Sequence, residues 1–180
     1  TKYSWMNQLS PILTVDESVL MDAEQIATGV YSPVEGFMGS EMLRLVLEEN
    51  TLGNGICWTL PILFQINEET RKNLSVDRCV VLEGRQSKRR FLMRINEIFK
   101  YEIHDLTQKW FGTDDQRHPG VKQIFDKGDI FVAGKVIALP RTTTHDMYHP
   151  LTPTQIRSVL TKKDWSRVVG FHTRNAPHRA

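Results

Sequence analysis

Cysteine is scarce in this 180-residue chain: Cys57 and Cys79 are the whole complement, with no C-x-x-C pair and no zinc-type spacing around the six histidines. That excludes a disulfide-built scaffold and a zinc-organised one. The two thiols are expected to be buried and reduced in a cytoplasmic protein, and a core of this size does not demand a disulfide between them. Charge of one sign is also missing. Lys and Arg number 23 against 21 Asp and Glu, a formal +2, which gives no global footprint for nucleic acid or an anionic membrane. Any anion site must therefore be local. No run approaches the roughly 18 apolar residues of a membrane span, and a basic region followed by an apolar one, the mark of a signal peptide, is absent from the N-terminus. The start at Thr1 in place of Met points to processing or trimming. There is no internal repeat and no low-complexity segment. What remains is 40% apolar and 24% charged, the composition of a globular chain with material for a core. Its length fits one domain, or one domain and the start of another.

Thr14 to Glu17 form a Thr-x-x-Glu capping box, which predicts a helix with Val19, Leu20, Ala23, Ile26 and Ala27 on one face and Gly29 as its left-handed C-terminal cap. A loop with Pro33, Gly36 and Gly39 follows, then a second helix capped by Ser40 and ending near Asn50. Residues 56–66 are apolar and β-prone, with Pro61 marking an edge strand or bulge. Residues 79–82 and 90–99 flank a hairpin turn, and Phe91, Met93 and Ile95 alternate with Leu92, Arg94 and Asn96 as on a strand with one face mostly buried. A short helix around 103–110, a loop at 111–120 and a strand within 128–139 complete a β-rich body.

Residues 141–150 read as a polar linker. Thr152, Pro153 and Gln155 then make a second capping box with Pro at the first helical position, opening a helix with Ile156, Val159 and Leu160 on its apolar face. The chain next enters a short buried strand at 168–171 and a loop dense in donors: His172, Thr173, Arg174, Asn175, His178 and Arg179. An apolar strand fixes such a loop, and the space beyond a strand's carboxyl end is where open α/β sheets place ligands. A helix following it would add the positive potential of its N-terminal amides. The chain stops at Ala180, so the expected site is cut in half.

Three ordered segments resemble the ATP sulfurylases (sulfate adenylyltransferases). They are Tyr-Ser-Pro-Val-Glu-Gly-Phe-Met at 31–38, Phe-Gly-Thr-Asp-Asp-Gln-Arg-His-Pro-Gly-Val at 111–121, and Val-Val-Gly-Phe-His-Thr-Arg-Asn-Ala-Pro-His-Arg-Ala at 168–180. The last is similar to that family's catalytic Gln-Thr-Arg-Asn-Pro-x-His-Arg-Ala-His. The resemblance implies an α+β chain: a PUA-like, β-barrel-type domain with short helices over residues 1–140, then the first helix and strand of an α/β nucleotidyltransferase domain over 141–180. It implies adenylyl transfer from ATP to sulfate with magnesium accompanying ATP, and inactivity of this N-terminal portion alone. Arg174 would pair with sulfate, Asn175 would hold phosphate oxygens as charge moves onto them, and His178 would contact the ATP phosphates. Thr173 and Arg179 would be supporting residues.

The segment departs from the family pattern at three places. His172 stands where the family has a sulfate-contacting glutamine, Ala176 replaces a proline, and the family's second histidine falls beyond Ala180. The histidine leaves open an adenylyltransferase with another acceptor, and a non-catalytic PUA-like module binding RNA or protein is the other alternative. A homo-oligomer is admitted; nucleic acid is disfavoured, and no membrane partner is expected. Arg85, Lys88, Arg89 and Arg90 read as a solvated hairpin tip rather than an RNA surface. His118, Glu35 and Arg117 read as loop architecture, Trp58 and Trp110 as core or rim aromatics. His104, His145 and His149 are too scattered for a metal site, and no protein-bound metal is expected.

Overall fold

The computed structural model describes residues 10–139 and 151–170. Its chain divides into two units, Thr1–His145 and Asp146–Ala180. The first carries β1 (Ile12–Val15), α1 (Glu17–Thr28), β2 (Gly36–Phe37), α2 (Ser40–Glu49), β3 (Gln65–Ile66), α3 (Glu68–Lys72), β4 (Cys79–Gly84), β5 (Arg90–Lys100), α4 (Ile103–Phe111), α5 (Pro119–Lys127) and β6 (Ile130–Ala138). The second carries α6 (Pro153–Lys162).

The six strands form one sheet in the order β1-β4-β5-β6-β2, with β3 also pairing with β6. Only β1 and β4 run parallel; the other pairs are antiparallel. This is an α+β domain built on an open sheet, and among the described residues the expected barrel closure is not made. The β4–β5 hairpin forms as the alternation predicts, with Cys79 opposite Arg94 and Glu83 opposite Arg90. Leu92 is buried as well as Phe91, Met93 and Ile95, so burial along this stretch is not confined to the one face that the alternation predicts. Pairing of β5 with β6 then slips between Ile95 and Glu97. The bulge inserts Asn96 and re-aims every later side chain.

Strand alternation divides the core. From β6, Ile130 and Val132 join the cluster that α1 covers with Leu20, Ala23 and Ile26, while Phe131 enters a second cluster with Leu43, Ile103, Leu106 and Ile124 from α2, α4 and α5. Burying each such side chain stabilises by about 1.5–3 kcal/mol, so the two clusters fix helices on both sides of β6.

Several local expectations are corrected. Thr14 lies within β1, so the first capping box does not form; Asp16 caps α1 without a side-chain hydrogen bond. The parallel ladder to β4 claims the backbone of Thr14 first. Gly39, not Ser40, is the N-cap of α2. Within residues 56–66 only Gln65 and Ile66 form a strand; the rest is held by single bonds, such as Met38 N–H to Ile62 O at 3.0 Å and Val132 N–H to Phe64 O at 2.9 Å. Cys57 is exposed and Cys79 half-buried, both free, so neither is the buried thiol expected. Residues 119–127, expected partly as loop, form α5. Residues 168–170 are neither strand nor buried: Val169 is 93% exposed. A strand needs a ladder partner, and the second unit has no other strand among its described residues.

Other readings hold. Gly29 caps α1 at φ 82° and Asn50 caps α2 in the left-handed region. The box opening α6 makes both its bonds, Thr152 N–H to Gln155 Oε1 at 2.8 Å and Gln155 N–H to Thr152 Oγ1 at 3.3 Å.

Candidate functional site

The side chains assigned to anion chemistry, His172, Arg174, Asn175 and His178, lie outside the described residues, as do Phe171, Thr173, Arg179, His145, His149 and the linker at 141–150. The approach to them is described. Helix α6 leaves Ile156 and Val159 exposed, and beyond it the Lys163 ammonium sits 5.0 Å from the Trp165 ring centre.

The segment at 31–38 is consumed by packing. The Tyr31 hydroxyl donates to Asp22 Oδ1 at 3.2 Å, and its ring meets Trp58 edge-on at 6.4 Å. Burial raises the carboxyl of Asp22 above its ordinary range, against the hydrogen bond from Tyr31. Val34, Phe37 and Met38 are buried, and Phe37 packs on Phe64 at 5.4 Å. Glu35 meets Lys135 Nζ at 2.7 Å across the β2–β6 pair. Gly36 lies directly on the backbone of Gly134, where a Cβ would collide with the Gly134 carbonyl. These residue types are what a strap laid tightly on β6 requires.

The segment at 111–121 is a helix-to-helix connector. Gly112 ends α4 at φ 72°, and His118 caps α5 by accepting from Val121 N–H at 3.3 Å through Nδ1. Pro119 takes the first helical position and Val121 is fully buried. A Cβ on Gly120 would press on the Phe111 ring at 2.9 Å. The polar residues between serve one another: Asp115 accepts from Arg117 Nε at 2.7 Å, and Asp114 pairs with His104 Nδ1 at 3.0 Å. The Arg117 guanidinium, by hydrogen bonding, holds the Asp115 carboxyl below its ordinary range. The reading of Glu35, Arg117 and His118 as loop architecture agrees with these contacts.

The basic hairpin tip is neutralised locally. Arg85 faces Asp16 at 3.6 Å, Lys88 faces Glu83 at 3.8 Å, Arg89 pairs with Glu24, and Arg90 Nε bonds Glu83 at 2.6 Å. Glu17, at the start of α1, accepts the backbone N–H groups of Gln86 and Ser87 at 2.8 and 3.0 Å. A second network joins α2 to α4: Arg44 bonds Glu41 and Glu48 at 2.9 and 3.0 Å, and Lys109 bonds Glu48 and Asp105 at 2.9 and 2.8 Å. Hydrogen bonding, first to Asp105 and then to Glu48, raises Lys109 above its ordinary value.

Sequence reasoning missed Glu97. Its carboxylate accepts the Ser40 backbone N–H at 3.0 Å and the Ser40 hydroxyl. It thereby does at α2 what a capping side chain at Gly39 would do. No local pattern identifies it, because it arrives from 57 residues away through the bulge in β5.

A shallow cavity of about 530 Å³ lies between the β1 approach and β4, lined by Ser10, Pro11, Leu74, Asp77, Arg78 and Cys79 among others, and an adjoining one of about 310 Å³ reaches Glu69 and Thr70. Neither touches the segments 31–38 or 111–121. Among the described residues no group of three His, Cys, Asp or Glu side chains is placed to hold a metal, and no helix is long and apolar enough to cross a membrane.

Residues 3–141 match the PUA-like domain and residues 148–180 match ATP-sulfurylase. A sulfate adenylyltransferase of Synechococcus sp. (strain JA-3-3Ab) is 36% identical over 172 residues, 94% of this chain and 44% of that protein. One of Ignicoccus hospitalis is 36% identical over 166 residues, 91% of this chain and 43% of that protein. One of Gibberella zeae is 33% identical over 178 residues, 96% of this chain and 31% of that protein. The chain spans less than half the length of these relatives. Among solved structures, the hexameric APS kinase from Thiobacillus denitrificans is similar in fold, with a TM-score of 0.67 at 20% identity, covering 96% of this chain and 30% of that one.

Proposed function

Since the chain belongs to the PUA-like domain family over residues 3–141 and enters the ATP-sulfurylase family at residues 148–180, we propose that it is the N-terminal portion of a sulfate adenylyltransferase. The carrying observation is the continuous similarity to proteins of that name over 94% of its length. In this reading residues 1–140 form the PUA-like domain, and residues 141–180 carry the linker helix and the opening of the catalytic domain.

The proposed reaction joins a sulfate oxygen to the α-phosphorus of ATP, breaks the bond to the β-phosphate bridging oxygen, and releases pyrophosphate. Such a transfer needs positioning and charge neutralisation more than a protein nucleophile. Arg174 and His172 would hold sulfate, the guanidinium matching its oxygens as a fork. Asn175 and His178 would donate to the phosphates as charge builds on them. Magnesium would come bound to ATP, with no side chain of this chain assigned to it. The reading includes a cytoplasmic place in sulfate assimilation and a homo-oligomer, the latter supported by the hexameric state in the name of the similar structure.

The test is pyrophosphate release from ATP by the longer protein. Release should require sulfate and fall by at least about a hundredfold in Arg174→Ala, the loss expected when a reacting group is misplaced by about 1 Å. The 180-residue chain by itself should release none. Release that ignores sulfate but responds to another oxyanion would favour the second reading, a different acceptor, for which His172 in place of glutamine is the motivating residue.

A further inference from the structure

Asparagine followed directly by glycine occurs once in the chain, at Asn54 and Gly55. The pair sits at the tip of a small hairpin, where residues 53–57 are exposed. Leu52 N–H bonds Ile56 O at 3.1 Å, Trp58 N–H bonds Asn50 O at 2.8 Å, and Thr51 and Cys57 face each other in an antiparallel bridge. Gly53 at φ 79° and Gly55 at φ 81° make the turn between the two arms.

Three features of that turn converge on the Asn54 side-chain amide. The Ile56 N–H donates to Asn54 Oδ1 at 3.2 Å. The ring closed by this bond runs through the Gly55 peptide, so the Asn54 Cγ is kept beside the Gly55 nitrogen. That nitrogen donates to no other group among the described residues, and nothing stands within 4 Å of where a Cβ on Gly55 would be. The nucleophile is therefore unhindered, and it is held close to the carbon it would attack. A donor on the Asn54 oxygen also meets the negative charge that develops there during attack, as in an oxyanion hole.

We propose that Asn54 is a site of spontaneous deamidation, primed by the Ile56 N–H. The Gly55 nitrogen gives its proton to solvent base and attacks Asn54 Cγ. The new N–Cγ bond closes a succinimide ring, the Cγ–Nδ2 bond breaks, and nitrogen departs as ammonia after taking a proton from water. Water then opens the ring at either carbonyl, leaving an aspartyl residue or an isoaspartyl one whose backbone runs through the former side chain. Nothing is oxidised or reduced; water is consumed and ammonia released. The isoaspartyl form adds a backbone carbon to the turn, so the bonds from Leu52 N–H and Thr51 Oγ1 to Ile56 O, both at 3.1 Å, lose their register and the hairpin opens at its tip. The conversion lies within the first unit and needs neither ATP nor sulfate, so it is independent of the proposed reaction.

The experiment is prolonged incubation of the 180-residue chain in mildly alkaline buffer, followed by peptide mapping with mass spectrometry and enzymatic methylation of isoaspartyl groups. The unconverted peptide around Asn54 should be lost, with the acidic and isoaspartyl peptides rising to match. Asn50, Asn67, Asn73 and Asn96, each followed by a residue with a side chain, should keep their amides over the same period. Asn54→Gln retains an amide but must close a larger ring, and it should abolish the acidic form. Conversion in the folded chain should be at least as fast as in urea. Loss at Asn54 no faster than at the other asparagines would overturn the proposal, as would an amide that survives in the folded chain and is lost only in urea. An acidic form undiminished in Asn54→Gln would overturn it too. In the isolated isoaspartyl product the Leu52 amide should lose its exchange protection, and unchanged protection there would refute the opening of the hairpin.

Discussion

The carboxylate of Glu17 accepts the backbone N–H of Gln86 at 2.8 Å and that of Ser87 at 3.0 Å, so the first turn of α1 closes the tip of a hairpin some seventy residues later. The bonds from Ser87 and Gln86, in that order, lower Glu17 from its ordinary value of 4.5. A group depressed on folding contributes stability above its unfolded value and loses it as pH falls through the folded one. The Gln86 and Ser87 amides should therefore stay protected at neutral pH and lose protection, relative to their intrinsic exchange rates, as pH drops below about 4.5. Glu17→Gln should show that reduced protection at every pH; protection unchanged in the variant would disprove the tie.

The two glycines in the β2–β6 contact should not tolerate a methyl group. A Cβ at Gly36 would meet the Gly134 carbonyl, and one at Gly134 would meet that of Arg94. Backbone cannot give way as a flexible side chain does, so each Gly→Ala change should cost about 3 kcal/mol or more, the upper range of overpacking. Urea unfolding measures it, and a loss below about 1 kcal/mol would show that the strap is looser than the geometry.

Glu97→Ala should destabilise by about 1–3 kcal/mol, since it strips a half-buried helix start of its acceptor. Glu97→Gln should recover part of that loss through its amide oxygen. Denaturant midpoints of the two variants check this, and equal midpoints for Glu97→Ala and the parent would show that water replaces the carboxylate at no cost.

In the longer protein, sulfate should bind more tightly below about pH 6.5, where a free imidazole takes up its proton, if His172 sits in the glutamine's place. The imidazolium adds a charge-assisted donor, whereas a glutamine amide does not titrate. His172→Gln should flatten the profile. Calorimetric titrations of sulfate at several pH values decide it, with superimposable profiles removing His172 from the sulfate site.

The sequence by itself determined the features whose causes are local. Gly29 announces a left-handed cap, Thr152 and Gln155 announce a reciprocal box, and the alternation through Phe91, Met93 and Ile95 announces a strand. Three ordered motifs lie in the stretches that match the PUA-like domain over residues 3–141 and ATP-sulfurylase over residues 148–180. Each signal lies within a few residues of the structure it specifies, so periodicity and turn chemistry could carry it.

Only the tertiary structure decided where side chains with two uses would be spent. Thr14 and Glu17 satisfy a helix-start pattern, yet the ladder to β4 takes the first and the hairpin tip takes the second. Arg85, Lys88, Arg89 and Arg90 read as a solvated hairpin tip, but only the fold shows which carboxylates, Asp16, Glu83 and Glu24, are brought beside them. Helix α5 stayed hidden because histidine is a weak cap signal and its apolar face is completed by Leu43 and Phe131 from distant elements. Glu97 acquires its role only through the bulge at Asn96. In each case the deciding partner is far along the chain, and a contact between distant residues leaves no period in the sequence to read.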